Sequence, residues 1–286
     1  MKAKMTKLWR RTSNALVYVL LATLGILWIL PILYLVYTAF RVTPSTGIIN
    51  TLFPQDLRLG LDNFTRLFRE TMFSRWLVNT LIVSSASCAL TTLFILMVSY
   101  AFSRLRFKLR KPLMNVLLVL GMFPGFMSMI AVYFILKAMG LTNSLLALVL
   151  VYSGGAALSY YICKGFFDTV PKAMEEAAVL DGASQPMIFV KIILPMAKPI
   201  IVYTVLTSFI APWCDFIFVN TIISERDKYT VSLGLYKMIN AEKNSFNDNF
   251  TTFCAGAFVV GVIIVSLFMS MQKYYVEGVT SGATKG

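Results

Sequence analysis

The chain has 286 residues, of which 58% are hydrophobic and 14% are charged, and its formal net charge is +13. Soluble domains are about 45–50% apolar and ~25% charged, and a soluble globule of this composition would expose apolar patches larger than soluble monomers tolerate. The composition argues against a soluble enzyme, a disordered chain and a coiled coil, and it predicts an integral membrane protein.

Several kinds of site are excluded by residues that the sequence lacks. The chain contains no histidine, which excludes imidazole metal centres and histidine-based acid–base catalysis. No GxxxxGK[ST] phosphate-binding motif is present, so any ATP hydrolysis must be carried out by another chain. The cysteines occur singly without CxxC spacing and are interpreted as small buried hydrophobic residues: Cys88, Cys163, Cys214 and Cys254.

Long apolar segments predict helices that cross a membrane. Six runs each exceed the ~20 residues that a helix needs to cross a bilayer core. Their length and their lack of strict alternation favour helices over the strands of a barrel. The sequence therefore predicts an all-α polytopic membrane protein with six transmembrane helices. The predicted spans are 15–40, 76–103, 112–136, 138–163, 199–224 and 249–272.

The distribution of lysine and arginine predicts the orientation of these spans, since short loops rich in these residues remain in the cytoplasm. Basic clusters in residues 1–14 and 103–111 lie beside spans, where such clusters usually face anionic lipid rather than nucleic acid. With the N-terminus inside, the loop 164–198 and the tail 273–286 are also cytoplasmic. The predicted organisation is a cytoplasmic N-terminus, a six-helix transmembrane domain over 15–272 and a cytoplasmic tail.

The loop 164–198, called the polar loop below, has the pattern of two short helices joined by a turn. Pro171 suits the first turn of a helix, and Glu175–Glu176 would lie near the positive end of its dipole. Asp181–Gly182 should end this helix, since glycine commonly follows a helix C-terminus. A second amphipathic piece runs over 183–195. A partly apolar element outside the bilayer requires a partner surface.

The polar loop also contains a recognisable motif. It begins with Glu176-Ala177-Ala178, which is followed after three residues by Gly182. After nine further residues it ends with Ile192-x-Leu194-Pro195. It resembles the EAA loop of importer-type ABC transporter permeases, and Asp181 and Ala183 fit the form found in the sugar branch. The segments 123–127, 212–216 and 276–286 are similar to those of MalG-like maltodextrin and galacto-oligosaccharide permeases.

This resemblance implies a type I ABC importer permease fold and a set of partners. These are a second, MalF-like permease, two ATPase subunits that carry the ATP and Mg, and an extracellular sugar-binding protein. The chain itself would have no catalytic residue, metal or cofactor, and would lie in the bacterial inner membrane. The resemblance assigns coupling to an ATPase subunit to Glu175, Glu176, Ala177, Ala178, Asp181, Gly182, Ala183, Ile192, Leu194 and Pro195.

The resemblance also suggests where the binding protein and the sugar would be contacted. The segment before the last span corresponds to the family's scoop loop, although it also suits an ordinary surface loop: Asn240, Asn244, Ser245, Asn247 and Asn249. An ionisable residue inside a span is a functional hypothesis, and aromatic and amide side chains bind neutral sugars. The substrate-path candidates, which could equally pack between helices, are Tyr152, Trp213, Asp215, Phe216 and Asn220.

Three functions are compatible with the sequence to different degrees. The favoured one is ATP-driven import of a maltodextrin-like oligosaccharide by alternating access. The second is import of another sugar, such as a galacto-oligosaccharide or a raffinose-like sugar. The third, an ion-coupled secondary transporter, should show several carboxylates or histidines within the spans, whereas this chain has only Asp215 there.

Overall fold

The computed structural model describes residues 2–42, 58–122, 125–154, 157–241 and 245–283. This part of the chain is helical and contains no strand, apart from an isolated antiparallel bridge between Arg41 and Leu59. The predicted all-α fold is confirmed. The helices are α1 (Lys2–Phe40), α2 (Asp62–Glu70), α3 (Phe73–Arg104), α4 (Arg110–Met122), α5 (Gly125–Ala138), α6 (Leu145–Gly154), α7 (Ala157–Thr169), α8 (Lys172–Leu180), α9 (Gln185–Ile188), α10 (Leu194–Met196), α11 (Lys198–Cys214), α12 (Ile217–Ile222), α13 (Val231–Asn240) and α14 (Ser245–Ala283).

The described helices give three straight candidates for membrane spans and three bent ones. The straight candidates are Asn14–Phe40, Phe73–Arg104 and Asn249–Lys273. The bent candidates are α4 with α5, α6 with α7, and Gln185–Met196 with α11, each bent by more than 40°. Six spans are therefore present when each bent pair counts as one, and the hydropathy pattern alone did not predict the bends.

Two predicted spans contain described residues that are not helical. The span predicted over 138–163 begins with a turn, because α5 ends at Ala138 and α6 starts at Leu145. The span predicted over 199–224 is interrupted, because α11 ends at Cys214 and α12 starts at Ile217. Both interruptions coincide with polar residues inside longer apolar runs, Thr142–Ser144 at the first and Asp215 at the second, and a hydropathy average over each whole run does not resolve them.

Helix α3 is the centre of the larger compact unit, which comprises residues 72–237 and 262–286. It packs against α6, α7 and α11. Its small side chains allow close approach, as membrane helices require: Thr91 Oγ1 donates to the Tyr152 carbonyl at 3.3 Å, and Ser99 Oγ donates to the Tyr160 carbonyl at 3.0 Å. The helix thus contacts the neighbours that surround the cavity described below.

The other compact unit comprises the described residues within 2–71 and 238–261. In it, Asn63 Nδ2 donates to the carbonyls of Ala39 and Arg41 at 3.0 and 2.9 Å, which ties α2 to the end of α1. The rings of Phe40 and Phe64 have centroids 5.0 Å apart, and the ring of Phe258 lies within 6 Å of both. These aromatic contacts form the apolar centre of this unit.

Candidate functional site

The first half of the polar loop folds as its sequence predicts. Helix α8 begins at Lys172, directly after Pro171, and Glu175 lies in its first turn. Its C-terminus has the two hydrogen bonds of a Schellman motif. Gly182 N donates to the Val179 carbonyl at 3.0 Å, and Ala183 N donates to the Ala178 carbonyl at 2.9 Å. The predicted helix end at Asp181–Gly182 is confirmed.

Gly182 has the left-handed backbone that this motif requires. Its φ is +82°, a conformation that glycine adopts without the strain of a Cβ atom. A Cβ built on Gly182 meets no atom within 4 Å, so the space around it is open. The glycine is therefore needed for its backbone conformation and not for close packing within the chain.

Helix α8 divides the motif residues between two faces. Ala178 is buried and joins an apolar cluster with Ile188 and Ile193. Glu176 and Ala177 are exposed, and Leu180 is 89% exposed. This side of α8 therefore presents an exposed leucine beside a small residue and a carboxylate. We call the exposed set Glu176, Ala177 and Leu180 the outer face of α8.

Glu175 does not belong to this outer face. Its Oε1 atom lies 2.6 Å from Arg104 Nε, and the two side chains are only 14% and 4% exposed. The prediction that Glu175 contacts an ATPase directly is not supported, because its carboxylate is paired inside the chain. In the sequence Arg104 is recognisable only as a member of a basic cluster, and no sequence pattern indicates this pair.

The second half of the polar loop is one continuous helical segment. It runs through α9, a π-helical turn at Phe189–Ile193 and α10, and so continues one residue beyond the predicted stop at Pro195. Of the predicted contact residues in the polar loop, Ala183, Ile192 and Leu194 are half-buried, while Asp181 and Pro195 are exposed.

A cavity of about 490 Å³ lies among α3, α5, α6, α7, α11 and α12. This volume is within the usual range of small-molecule sites. Its lining residues within the described part of the chain include no lysine or arginine. The polar lining consists of one carboxylate and six hydroxyl groups: Asp215, Thr91, Ser128, Tyr152, Ser159, Thr207 and Ser208.

Three of the lining hydroxyl groups are arranged to accept hydrogen bonds. Thr91, Ser128 and Thr207 donate their hydroxyl protons to backbone carbonyls of Tyr152, Gly125 and Tyr203. A hydroxyl that donates in this way keeps lone pairs for accepting. The cavity therefore suits a neutral ligand with many hydroxyl donors, and it offers an anionic ligand no counter-charge.

Asp215 lies where the helix breaks between α11 and α12. Its Oδ1 accepts from Phe218 N at 3.0 Å, and its Oδ2 accepts from Tyr152 Oη at 3.0 Å. An ionised carboxylate has about four acceptor positions, so these two bonds leave capacity for ligand hydroxyls. The fold thus brings together Tyr152 and Asp215, two of the five predicted substrate residues.

The other three predicted substrate residues do not line the cavity. Trp213 is buried and lies against Phe209, with ring centroids 5.9 Å apart. Phe216 stacks on Tyr236 at 4.6 Å, and Asn220 is exposed on α12. The geometry of the cavity does not support substrate contact by these three side chains.

The predicted scoop segment is described only in part. Asn240 is exposed at the end of α13, whereas Asn244 and the side chains of Ser245 and Asn247 lie outside the described residues. Asn249 is half-buried in α14, and its Nδ2 donates to the Met238 carbonyl at 3.1 Å. Asn249 is therefore used in helix packing, which does not support its predicted contact with a binding protein.

Solved structures share this fold. A bacterial ABC transporter involved in the import of the acidic polysaccharide alginate superposes with a TM-score of 0.79 at 19% identity, covering 93% of this chain and 97% of that chain. The same kind of transporter in complex with an alginate pentasaccharide-bound periplasmic protein gives a TM-score of 0.60 at 15% identity, covering 91% and 93%. At these identities the likeness is one of fold.

Sequence comparison identifies closer relatives. The chain is 34% identical to the galactooligosaccharides permease GanQ of Bacillus subtilis, over 94% of each chain. It is 34% identical to the maltodextrin permease MalD of Streptococcus pneumoniae, over 98% of each chain. A family model described as binding-protein-dependent transport system inner membrane component matches residues 92–278. The chain therefore belongs to the family of binding-protein-dependent transport system inner membrane components.

Proposed function

We propose that this chain is the membrane permease subunit of an ATP-driven importer of neutral oligosaccharides, with maltodextrins as the favoured substrates. The observation that carries the proposal is the division of α8 into two faces. Ala178 anchors the helix in the chain, while Glu176, Ala177 and Leu180 present an apolar and acidic outer face. That outer face is the surface to which an ATPase subunit would bind.

The substrate class is supported by the cavity and by the relatives. Hydroxyl acceptors and one carboxylate suit the hydroxyl groups of a neutral sugar, and the described lining holds no cation that would pair with an acidic sugar. The relatives are named for maltodextrins and galactooligosaccharides. Because GanQ and MalD are equally similar to this chain, a galacto-oligosaccharide importer is the second candidate.

The proposal includes partners that this chain would need. A second, MalF-like permease would complete the transmembrane path, two ATPase subunits would bind the polar loops and hold ATP and Mg, and an extracellular binding protein would deliver the sugar. Transport would follow alternating access, with both termini and the polar loop in the cytoplasm. No cofactor is assigned to this chain itself.

The substrate is tested by purifying the complete complex together with its sugar-binding protein. ATPase activity is measured with the binding protein loaded with maltodextrins, with galacto-oligosaccharides or with an acidic uronate oligomer. The proposal predicts stimulation by a neutral oligosaccharide and none by the uronate. Stimulation by the uronate alone would contradict it, and the stronger of the two neutral responses decides between the two candidates.

We expect Asp215→Asn to weaken sugar transport without preventing assembly. Asparagine keeps an acceptor for Phe218 N but removes the negative charge of the side chain. Each sugar hydroxyl would then bond to a neutral amide instead of a carboxylate, and a hydrogen bond to a charged group contributes about 1.5–3 kcal/mol. The KM for uptake should rise roughly tenfold or more. Tyr152→Phe, which removes the hydroxyl that donates to Asp215, should act in the same direction. Tyr160→Phe, outside the cavity lining, is the control and should transport normally.

The orientation of the chain gives a second prediction. A membrane-impermeant thiol reagent added to sealed cells should label Glu225→Cys, in a predicted outer loop, and should not label Arg106→Cys. Both variants should also carry Cys214→Ser, because Cys214 is exposed whereas Cys88, Cys163 and Cys254 are buried. Labelling of Arg106→Cys from outside would overturn the topology.

A further inference from the structure

Arg104, the last residue of α3, connects three parts of the chain. Its Nη2 atom donates to the carbonyls of Phe167 and Val170, both at 2.8 Å. Its Nε atom lies 2.6 Å from Glu175 Oε1 in the first turn of α8. One guanidinium therefore joins the end of α3, the end of α7 and the start of α8.

The two charges at this junction each lie at a favourable helix end. Arg104 lies at the C-terminal carbonyls of α7, where a cation interacts well with the helix dipole. Glu175 lies near the N-terminus of α8, where a carboxylate is favoured. Since both side chains are largely buried, removing one partner would leave the other charge uncompensated. The pair therefore links the start of α8 to the end of α3 by charge, since Arg104 Nε and Glu175 Oε1 are in contact but make no hydrogen bond of regular geometry.

Other residues in the last turns of α3 also contact the polar loop. Ser103 Oγ donates to Asp168 Oδ1 at 2.6 Å. Tyr100 Oη donates to Gln185 Oε1 at 3.1 Å, and Tyr100 belongs to the apolar cluster that holds Ala178. These contacts fix both helical pieces of the polar loop to one end of α3.

The same helix reaches the cavity without a break. Thr91 lines the cavity and lies about 20 Å along α3 from Arg104. A rigid helix that contacts both places is a physical means of coupling them. We propose that α3 transmits displacement of the polar loop to the cavity, with the Arg104–Glu175 ion pair as the joint. This inference rests on the proposed function and gives Glu175 a role different from that of Glu176.

Variants of the Arg104–Glu175 ion pair should uncouple ATP hydrolysis from sugar transport without releasing the ATPase. In Glu175→Gln and in Arg104→Lys the outer face of α8 is unchanged, so the ATPase should still co-purify and hydrolyse ATP. The sugar transported per ATP hydrolysed should fall about tenfold, within the usual range of coupling between sites. Since the two residues act as one unit, the sugar transported per ATP hydrolysed in the double variant should be no lower than in the more impaired single variant. Glu176→Gln is the matched control on the outer face and should instead reduce ATPase co-purification.

A measurement that does not need transport completes the test. Amide hydrogen exchange of residues 172–180 in the assembled complex should speed up at least tenfold in Glu175→Gln, because α8 loses its attachment to α3. Three results would each contradict the proposed role of the ion pair. They are an unchanged exchange rate, a wild-type ratio of sugar transported to ATP hydrolysed in both single variants, or a loss of transport that is fully explained by loss of the bound ATPase. A wild-type complex that transports no sugar would refute the proposed function. The hydrogen-exchange measurement would still show whether the Arg104–Glu175 ion pair attaches α8 to α3.

Discussion

Replacing Gly182 by valine should abolish sugar uptake while leaving the protein in the membrane. The residue has a φ of +82° in the Schellman motif that ends α8, and a side chain with a Cβ costs about 1–2 kcal/mol in that region. A Cβ atom at this position would meet no atom of the chain within 4 Å, but the valine side chain would stand beside the surface proposed to bind the ATPase. We expect uptake to fall below a tenth of the wild-type rate, with reduced co-purification of the ATPase.

The chain provides a matched control for this change. Gly140 ends α5 in the same motif, with a φ of +69° and open space at its Cβ position. Gly140→Val introduces the same backbone strain at a position predicted to face outside, and it should keep full ATPase co-purification. Gly182→Asn, which tolerates this conformation better, should retain part of the uptake. Normal uptake and full ATPase retention in Gly182→Val would show that the polar loop does not bind the ATPase.

Charge reversal at Glu176 should be at least as damaging. Glu176 is exposed on α8, and no ion pair to it is found among the described residues, so Glu176→Lys should cost this chain little stability. A basic residue of the ATPase opposite Glu176 would instead meet a like charge, and losing a buried charge partner costs roughly 2–5 kcal/mol. Uptake and ATPase co-purification should both be lost at matched permease abundance.

Two further variants identify the cause of that loss. Glu225→Lys reverses a surface glutamate in a predicted outer loop, and it should have little effect, since the ion pair of Glu225 with Lys228 lies at an exposed site. A reciprocal change of a basic ATPase residue to glutamate should restore binding to Glu176→Lys. Retention of the ATPase by Glu176→Lys without any compensating change would contradict the proposed contact.

Local features of the polar loop were predictable because capping depends on near neighbours. The proline before α8, the glutamates in its first half and the glycine after it specify the ends of this helix without tertiary information. The end of α8 at Asp181–Gly182 is predicted by the same pattern, and Gly182 has the positive φ that such a helix end requires. This part of the site could be derived from about a dozen consecutive residues.

The roles of neighbouring residues on α8 were not predictable in the same way. Glu175 and Glu176 are adjacent in sequence but about 100° apart around a helix, so one faces Arg104 and the other faces outward. Nothing in the loop sequence indicates a partner at the end of α3. Both glutamates were assigned one role because the motif does not distinguish inner from outer positions.

The cavity was only partly predictable because six helices contribute to its lining. Asp215 was identified as an ionisable residue in an apolar run, and Tyr152 as an aromatic candidate. The lining hydroxyls gave no separate signal, since serine and threonine are common in membrane helices and bond to their own backbone. Trp213 was selected because of its aromatic ring, yet the fold buries it away from the cavity lining.

Uptake into proteoliposomes is the most direct test of the proposed energy source. The complete complex is reconstituted with the binding protein, and uptake of a labelled maltodextrin and of a labelled galacto-oligosaccharide is measured with ATP present or absent and with the proton gradient intact or collapsed. The chain has no histidine, and its predicted spans contain one aspartate, which is too few ionisable residues for proton coupling. We therefore predict that uptake of one of these sugars requires ATP and persists when the proton gradient is collapsed. Uptake that proceeds without ATP and stops with the gradient would contradict the account and indicate a secondary transporter.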